Sequence, residues 1–167
     1  MMNRFIRIIE VISGVSGQFM GWLIFIMMVM ILIEVLTRYI LRSPLAIGDE
    51  FGGYILVAIT YVGLAYTWKM GGHVRIEFLF NKLPMKLQKK LRLGMIILAT
   101  IFTFVIIKAS YELISFSYQL GTRSGSWLRI PVIWPQLVLI IGSILLLFQL
   151  IAEVMKAIKN RDAGGKT

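Results

Sequence analysis

The chain has 167 residues, 58% of them hydrophobic, a mean hydropathy of +0.82 and a formal net charge of +10. Four separate apolar runs are long enough to cross a bilayer, for which about 20 residues suffice, so the soluble globular class is excluded. The basic residues flank these runs instead of forming a soluble basic face, which points to anionic lipid headgroups and away from nucleic acid. With no cysteine there is no disulfide, thiolate-held metal or thiol redox chemistry.

Residues 1–16 alternate basic and apolar side chains (Arg4, Phe5, Arg7, Ile8, Ile9), a pattern that predicts a short helix on the inner leaflet. This start superficially resembles a signal peptide. The apolar run continues too long, however, and no small-residue cleavage site follows, so an uncleaved first span is expected. That span is residues 18–39, with Trp22 and Tyr39 near its ends, where interfacial aromatic belts lie. Gly17 and Gly21 form a G-x-x-x-G, a spacing that lets two helices approach closely. In the connection that follows, Pro44 and Gly48 break helix, Asp49 is expected to cap the next one, and Glu50 favours its positive end. The second span is residues 51–68.

Residues 69–92 are the one long polar interruption and hold seven of the eighteen Lys and Arg residues. Val74, Ile76, Phe78, Leu79, Phe80 and Leu83 are interleaved with His73, Arg75, Glu77 and Lys82, which predicts an amphipathic segment in the headgroup plane. Pro84 suits the first turn of a helix. Leu83, Leu87 and Leu91 then recur every four residues among Lys86, Lys89, Lys90 and Arg92, a lead expected to run straight into the third span, residues 93–116. Residues 118–130 form a polar connection with Gly121, Gly125, Arg123, Trp127 and Arg129. Pro131 and Pro135 open the fourth span, residues 135–153, and the basic tail, residues 156–167, is expected to fray at its end.

Thirteen Lys and Arg lie in the N-terminus, the middle connection and the C-terminus, against four at the opposite end: Arg38, Arg42, Arg123 and Arg129. The positive-inside rule therefore places both termini in the cytoplasm. Residues 1–167 read as a single all-α membrane domain of four transmembrane helices, arranged antiparallel because short connections make consecutive spans neighbours.

Charges inside spans are functional candidates by default. Glu34 and Arg38 are spaced i,i+4 in span one, and Lys108 and Glu112 repeat the spacing in span three with signs reversed. At 1.5 Å per residue, Glu34 and Lys108 lie at roughly equal depth, so a pair across helices is expected. Three readings stand: mutual neutralisation at a packed interface, direct ion handling, and side chains that snorkel without partners. His73 is the only histidine, which excludes bis-histidine haem ligation within the chain and argues against a histidine metal cluster. No nucleophile–base–acid set and no phosphate-binding glycine loop is present, so neither an enzyme nor a cofactor is expected.

Several pieces occur in order: Glu34-Val-x-x-Arg38-Tyr39, Pro44, Asp49-Glu50, Gly63, Gly71-x-His73-Val74-Arg75-Ile76-Glu77, Leu83-Pro84, and the cluster Pro131, Trp134, Pro135. Together they resemble the small membrane subunit of tripartite ATP-independent periplasmic (TRAP) transporters. The Gly-x-His-Val-Arg-Ile phrase is the strongest piece. The chain departs from the family pattern at Ile47, where Trp is frequent, and at Glu77, where Asp is frequent; both weaken any role tied to the exact side chain.

The resemblance implies a scaffold subunit paired with a much larger membrane subunit, which carries the substrate and sodium sites and moves as an elevator. It also implies a soluble periplasmic protein that delivers an organic acid, such as a C4-dicarboxylate or a sialic acid, and a location in the bacterial inner membrane. Under this orientation Arg42, Asp49, Glu50, Arg123 and Arg129 face the periplasm, either as part of a docking surface or as ordinary solvated turns. The rival functions are a self-contained four-span exporter built around a membrane glutamate and a haem or quinone redox subunit. Glu34 near one membrane face, with Arg38 one turn away, disfavours the first; the single His73 disfavours the second.

Overall fold

A computed structural model describes residues 2–40, 42, 47–70, 84–125 and 128–163, and within them the chain is four α-helices and one isolated β-bridge. The helices are α1 (Met2–Ile40), α2 (Ile47–Lys69), α3 (Met85–Leu120) and α4 (Ile133–Ala163). Each contains a segment long and apolar enough to span a membrane: Ile6–Ile40, Glu50–Lys69, Lys90–Leu120 and Ile133–Lys156. Helix is the outcome lipid imposes, because nothing in the hydrocarbon can satisfy a free backbone N–H or C=O.

Three local expectations are revised, and one helix outruns its span. Residues 1–16 do not form a separate interfacial helix; α1 is continuous from Met2. Its early turns stand against the rest of the protein through Ile6, Ile9, Ser13, Ser16 and Met20, all buried and spaced alternately three and four apart, the period of a helix–helix seam. Asp49 is not the cap of α2, since the helix begins two residues earlier at Ile47. Helix α4 continues ten residues past Glu153, to Ala163. The G-x-x-x-G is half used: a Cβ at Gly17 would overlap the Tyr66 ring, whereas Gly21 faces open space.

The lead into the third span behaves as the leucine spacing implies, for Met85 to Leu120 is one helix. Pro84 sits at its N-cap, and its carbonyl accepts from the N–H groups of Leu87 and Gln88 at 2.8 and 3.1 Å. At the far end Gly121 takes a left-handed φ of 58°, and Thr122 N–H bonds back to the Ser117 carbonyl at 3.1 Å, closing the last turn.

Residue correspondences give the directions of packing. Gly142 of α4 meets Tyr61 of α2, and Leu146 and Leu150 meet Leu64 and Trp68, so α2 and α4 run parallel. A Cβ at Gly142 would overlap the Tyr61 backbone, so the two main chains touch there. Helix α1 lies antiparallel on this pair, with Gly17 at Tyr66, Met20 at Gly63 and Glu34 at Gly48. Helix α3 packs on α4 through Ile96, Thr103, Ser110 and Ser117, one buried residue every seventh position.

The spatial order is therefore α1, α2–α4, α3, which corrects the expectation that all consecutive spans are neighbours. The short connections do make neighbours of α1 with α2 and of α3 with α4. Helices α2 and α3, joined by the long connection, do not pack side by side. Small and hydroxyl side chains dominate the contacts. Lipid is as apolar as leucine, so close packing and hydrogen bonds hold membrane helices together, not a hydrophobic drive.

Candidate functional site

At the end of the bundle carrying both termini, the charged side chains form a chain that touches all four helices. Lys69 Nζ of α2 donates to the Glu10 carbonyl of α1 at 2.7 Å, and the ammonium lies where a Cβ at Gly14 would approach to 3.1 Å. Lys156 of α4 pairs with the Glu10 carboxylate and, at 3.5 Å, with Glu153. Arg92 of α3 completes the set with Nη2 2.9 Å from Glu153 Oε2. Just inside, Ser13 Oγ donates to Gln149 Oε1 at 2.7 Å, both residues fully or nearly buried. Sequence reasoning missed this network by treating end charges only as markers of orientation. The signal available was the acids Glu10 and Glu153, set at the inner edges of predominantly basic ends.

The loop end is built differently. Glu34 is buried, with its Cβ and Cγ 3.1 Å from where a Cβ at Gly48 would stand, and Arg38 reaches it at 3.6 Å. Tyr54 hydroxyl donates to Glu50 Oε1 at 2.7 Å, and Gln136 Nε2 donates to Ser117 Oγ at 2.8 Å, tying α4 to α3. The connection after α3 turns back on itself: Ser124 N–H donates to the Ile130 carbonyl at 2.8 Å and Val132 N–H to the Thr122 carbonyl at 3.3 Å. Arg42 and Arg129 occupy left-handed backbone, φ 52° and 46°, and both are exposed, as is Arg123. The Asp49 side chain and the motif residues Gly71, His73, Val74, Arg75 and Glu77 lie outside the described residues.

The intramembrane charges are not one cluster. Glu34 and Arg38 form one pair on α1; Lys108 and Glu112 form a second on α3, 3.7 Å apart. The expected Glu34–Lys108 contact does not form. Glu34 sits against Gly48 at the start of α2, whereas Lys108 is twelve residues short of the end of α3, so the two are not level. In addition, α1 and α3 flank opposite sides of the central pair, and Lys108 points away from the bundle with 79% of its side chain exposed. Among the described residues, no three His, Asp or Glu side chains gather as metal ligands would.

Four membrane-length helices, charged bridges at one end and a folded loop at the other define a multi-pass membrane protein. Residues 27–160 match the family described as tripartite ATP-independent periplasmic transporters, DctQ component, and the chain belongs to that family. It is similar to the sialic acid TRAP transporter small permease protein SiaQ of Vibrio cholerae serotype O1, at 27% identity over 127 residues, covering 74% of this chain and 69% of the relative. The family comprises transporter components and is not a family of enzymes, and it implies a large membrane subunit and a periplasmic binding protein as partners.

Proposed function

We propose that this small permease component serves as the fixed scaffold of a sodium-driven importer of an organic acid, in a bacterial inner membrane with both termini in the cytoplasm. The observation that carries the scaffold reading is the Glu10–Lys156–Glu153–Arg92 chain with Lys69. It fastens one end of all four helices, an arrangement suited to bracing a moving neighbour and ill suited to moving itself. Similarity to the Vibrio cholerae protein makes a sialic acid the first substrate to try, with C4-dicarboxylates next. The large subunit would hold the substrate and ion sites. The exposed Arg42, Arg123 and Arg129 at the loop end, with Asp49 and Glu50, would help receive the periplasmic binding protein. The thirteen-to-four distribution of Lys and Arg supports the orientation.

Reconstitution tests this reading. Vesicles holding the chain with its large subunit should accumulate sialic acid or a dicarboxylate only with the binding protein outside and an inward sodium gradient. Cation transport by the chain alone would overturn it in favour of the small exporter. For the orientation, a cysteine at Lys90 should react only with reagents that enter the cytoplasm, and one at Ser124 with reagents outside.

A further inference from the structure

Helix α3 buries one stripe, Ile96, Thr103, Ser110 and Ser117, against α4, half-buries Ala99, Ile106, Ile107 and Ile114 beside it, and exposes the opposite face. At about 100° per residue, Lys108 and Glu112 each lie roughly 160° around the helix from Ser110, one on either side of the position diametrically opposite the buried stripe. They are 3.7 Å apart, and 79% and 66% of their side chains are exposed. Between Leu93 and Ile107 the helix carries no charge, and none follows from Leu113 to Leu120.

Such a pair cannot rest against hydrocarbon cheaply. Lys108 is twelve residues from the C-terminal end of α3, about 18 Å of helix, and Cα–Cβ bonds tilt toward the N-terminus, which is the longer way out. Snorkelling to either interface is therefore hindered by distance on one side and by direction on the other. These distances are the same whichever end of α3 is cytoplasmic.

The outward face of α1 is the control within the same molecule. Phe19, Trp22, Phe25, Ile26 and Met28 are all exposed there, and no charged residue occurs from Val11 to Ile33. That face suits lipid.

We infer that the Lys108–Glu112 face of α3, flanked by Ile101, Val105 and Phe116, is the surface covered by the large membrane subunit. The large subunit presents to it a helix with polar or charged groups at the depth of the pair. This rests on the scaffold-subunit reading above and goes further by choosing the helix and the face. Charge complementarity carries the choice: an ion pair open to the outside at mid-membrane is matched by a partner that supplies opposite charges or hydrogen bonds, and an alkyl chain supplies neither.

The test is a benzophenone photo-crosslinker placed at Ile101, Val105 or Phe25 in the chain expressed with its large subunit. The apolar positions leave the ion pair intact. Adducts with the large subunit are expected from positions 101 and 105, with at least tenfold less from 25. Adducts from 25 alone would overturn the face assignment while leaving the subunit reading in place. Adducts at 105 between two copies of this chain would overturn it in favour of a self-association surface. Lipid adducts only, at all three positions, in a complex that still co-purifies, would also overturn it. If no large membrane protein co-purifies or crosslinks, the scaffold reading falls as well. As a second measurement, Lys108→Met alone should lower recovery of the assembled complex several-fold, and Lys108→Met with Glu112→Gln should recover part of the loss. Equal recovery for all three forms would contradict a desolvated contact.

Discussion

The two outer helices, α1 and α3, are nearly equal in length, 39 and 36 residues, and both lean on the α2–α4 pair, yet they place their charges on opposite sides. Helix α1 turns Glu34 inward against Gly48 and, from Val11 to Ile33, shows an uncharged face outward. Helix α3 turns Thr103, Ser110 and Ser117 inward and carries Lys108 and Glu112 outward. In water, apolar side chains would mark the inside of both. In lipid that signal vanishes, because core and solvent are equally apolar, and the small residues and the charges become the guide.

The way each helix is fastened differs too. Helix α1 is held by a buried bond between helices, Ser13 to Gln149, and by the close approach of Gly17 to Tyr66. In α3, the hydroxyl of Thr103 bonds its own helix at the Ala99 carbonyl, 2.7 Å away, so it contributes fit without a cross-link. The buried bond between helices on this side is Gln136 to Ser117, near the loop end, with the more exposed Arg92–Glu153 bridge at the other end.

Removing the shared platform should erase the comparison altogether. Gly142→Leu drives a side chain into the Tyr61 backbone and should separate α2 from α4, costing about 3 kcal/mol, the upper range for overpacking. Unfolding in mixed detergent micelles should show both outer helices released together. Gly17→Leu sharpens it: the obstacle is now the Tyr66 side chain, which can rotate, so about 1–2 kcal/mol is expected and only α1 should loosen. Hydrogen exchange should rise in α1 and stay unchanged in α3. The smallest contrast compares two hydroxyl removals. Ser13→Ala should cost about 1 kcal/mol by leaving Gln149 without its bonded hydroxyl, whereas Thr103→Val, which keeps shape and breaks only a bond to its own helix, should cost less than about 0.5 kcal/mol. Equal losses in the same unfolding assay would remove the distinction in how the helices are fastened.

The four spans, the run of α3 from Met85 and the family were all legible in the sequence. Apolar length is a one-dimensional property, and the ordered motif pieces need no geometry. The lateral order was not legible. Glu34 and Lys108 were matched by counting from expected span ends, but the first membrane-length segment starts at Ile6 and not at residue 18, so the count misjudged their depths. Being neighbours also depends on which faces pack, and hydropathy is silent about that inside lipid. A pattern was nevertheless present in the positions of small side chains. Thr103, Ser110 and Ser117 recur at seven on α3, and Ser13 and Ser16 fall on the three–four seam of α1. The charged chain at the terminal end was hidden for a related reason: Glu10, Arg92 and the Glu153–Lys156 pair are far apart in sequence and meet only after α1, α3 and α4 have found their places.

The contrast between the two outer faces is tested most directly by oxygen accessibility of a nitroxide at position 105 on α3 and at position 25 on α1, each measured for the chain alone and for the chain bound to its large subunit. The account predicts that position 105 loses most of its oxygen accessibility on assembly while position 25 keeps a lipid-like value in both states. Loss at position 25 with no change at position 105 would contradict it.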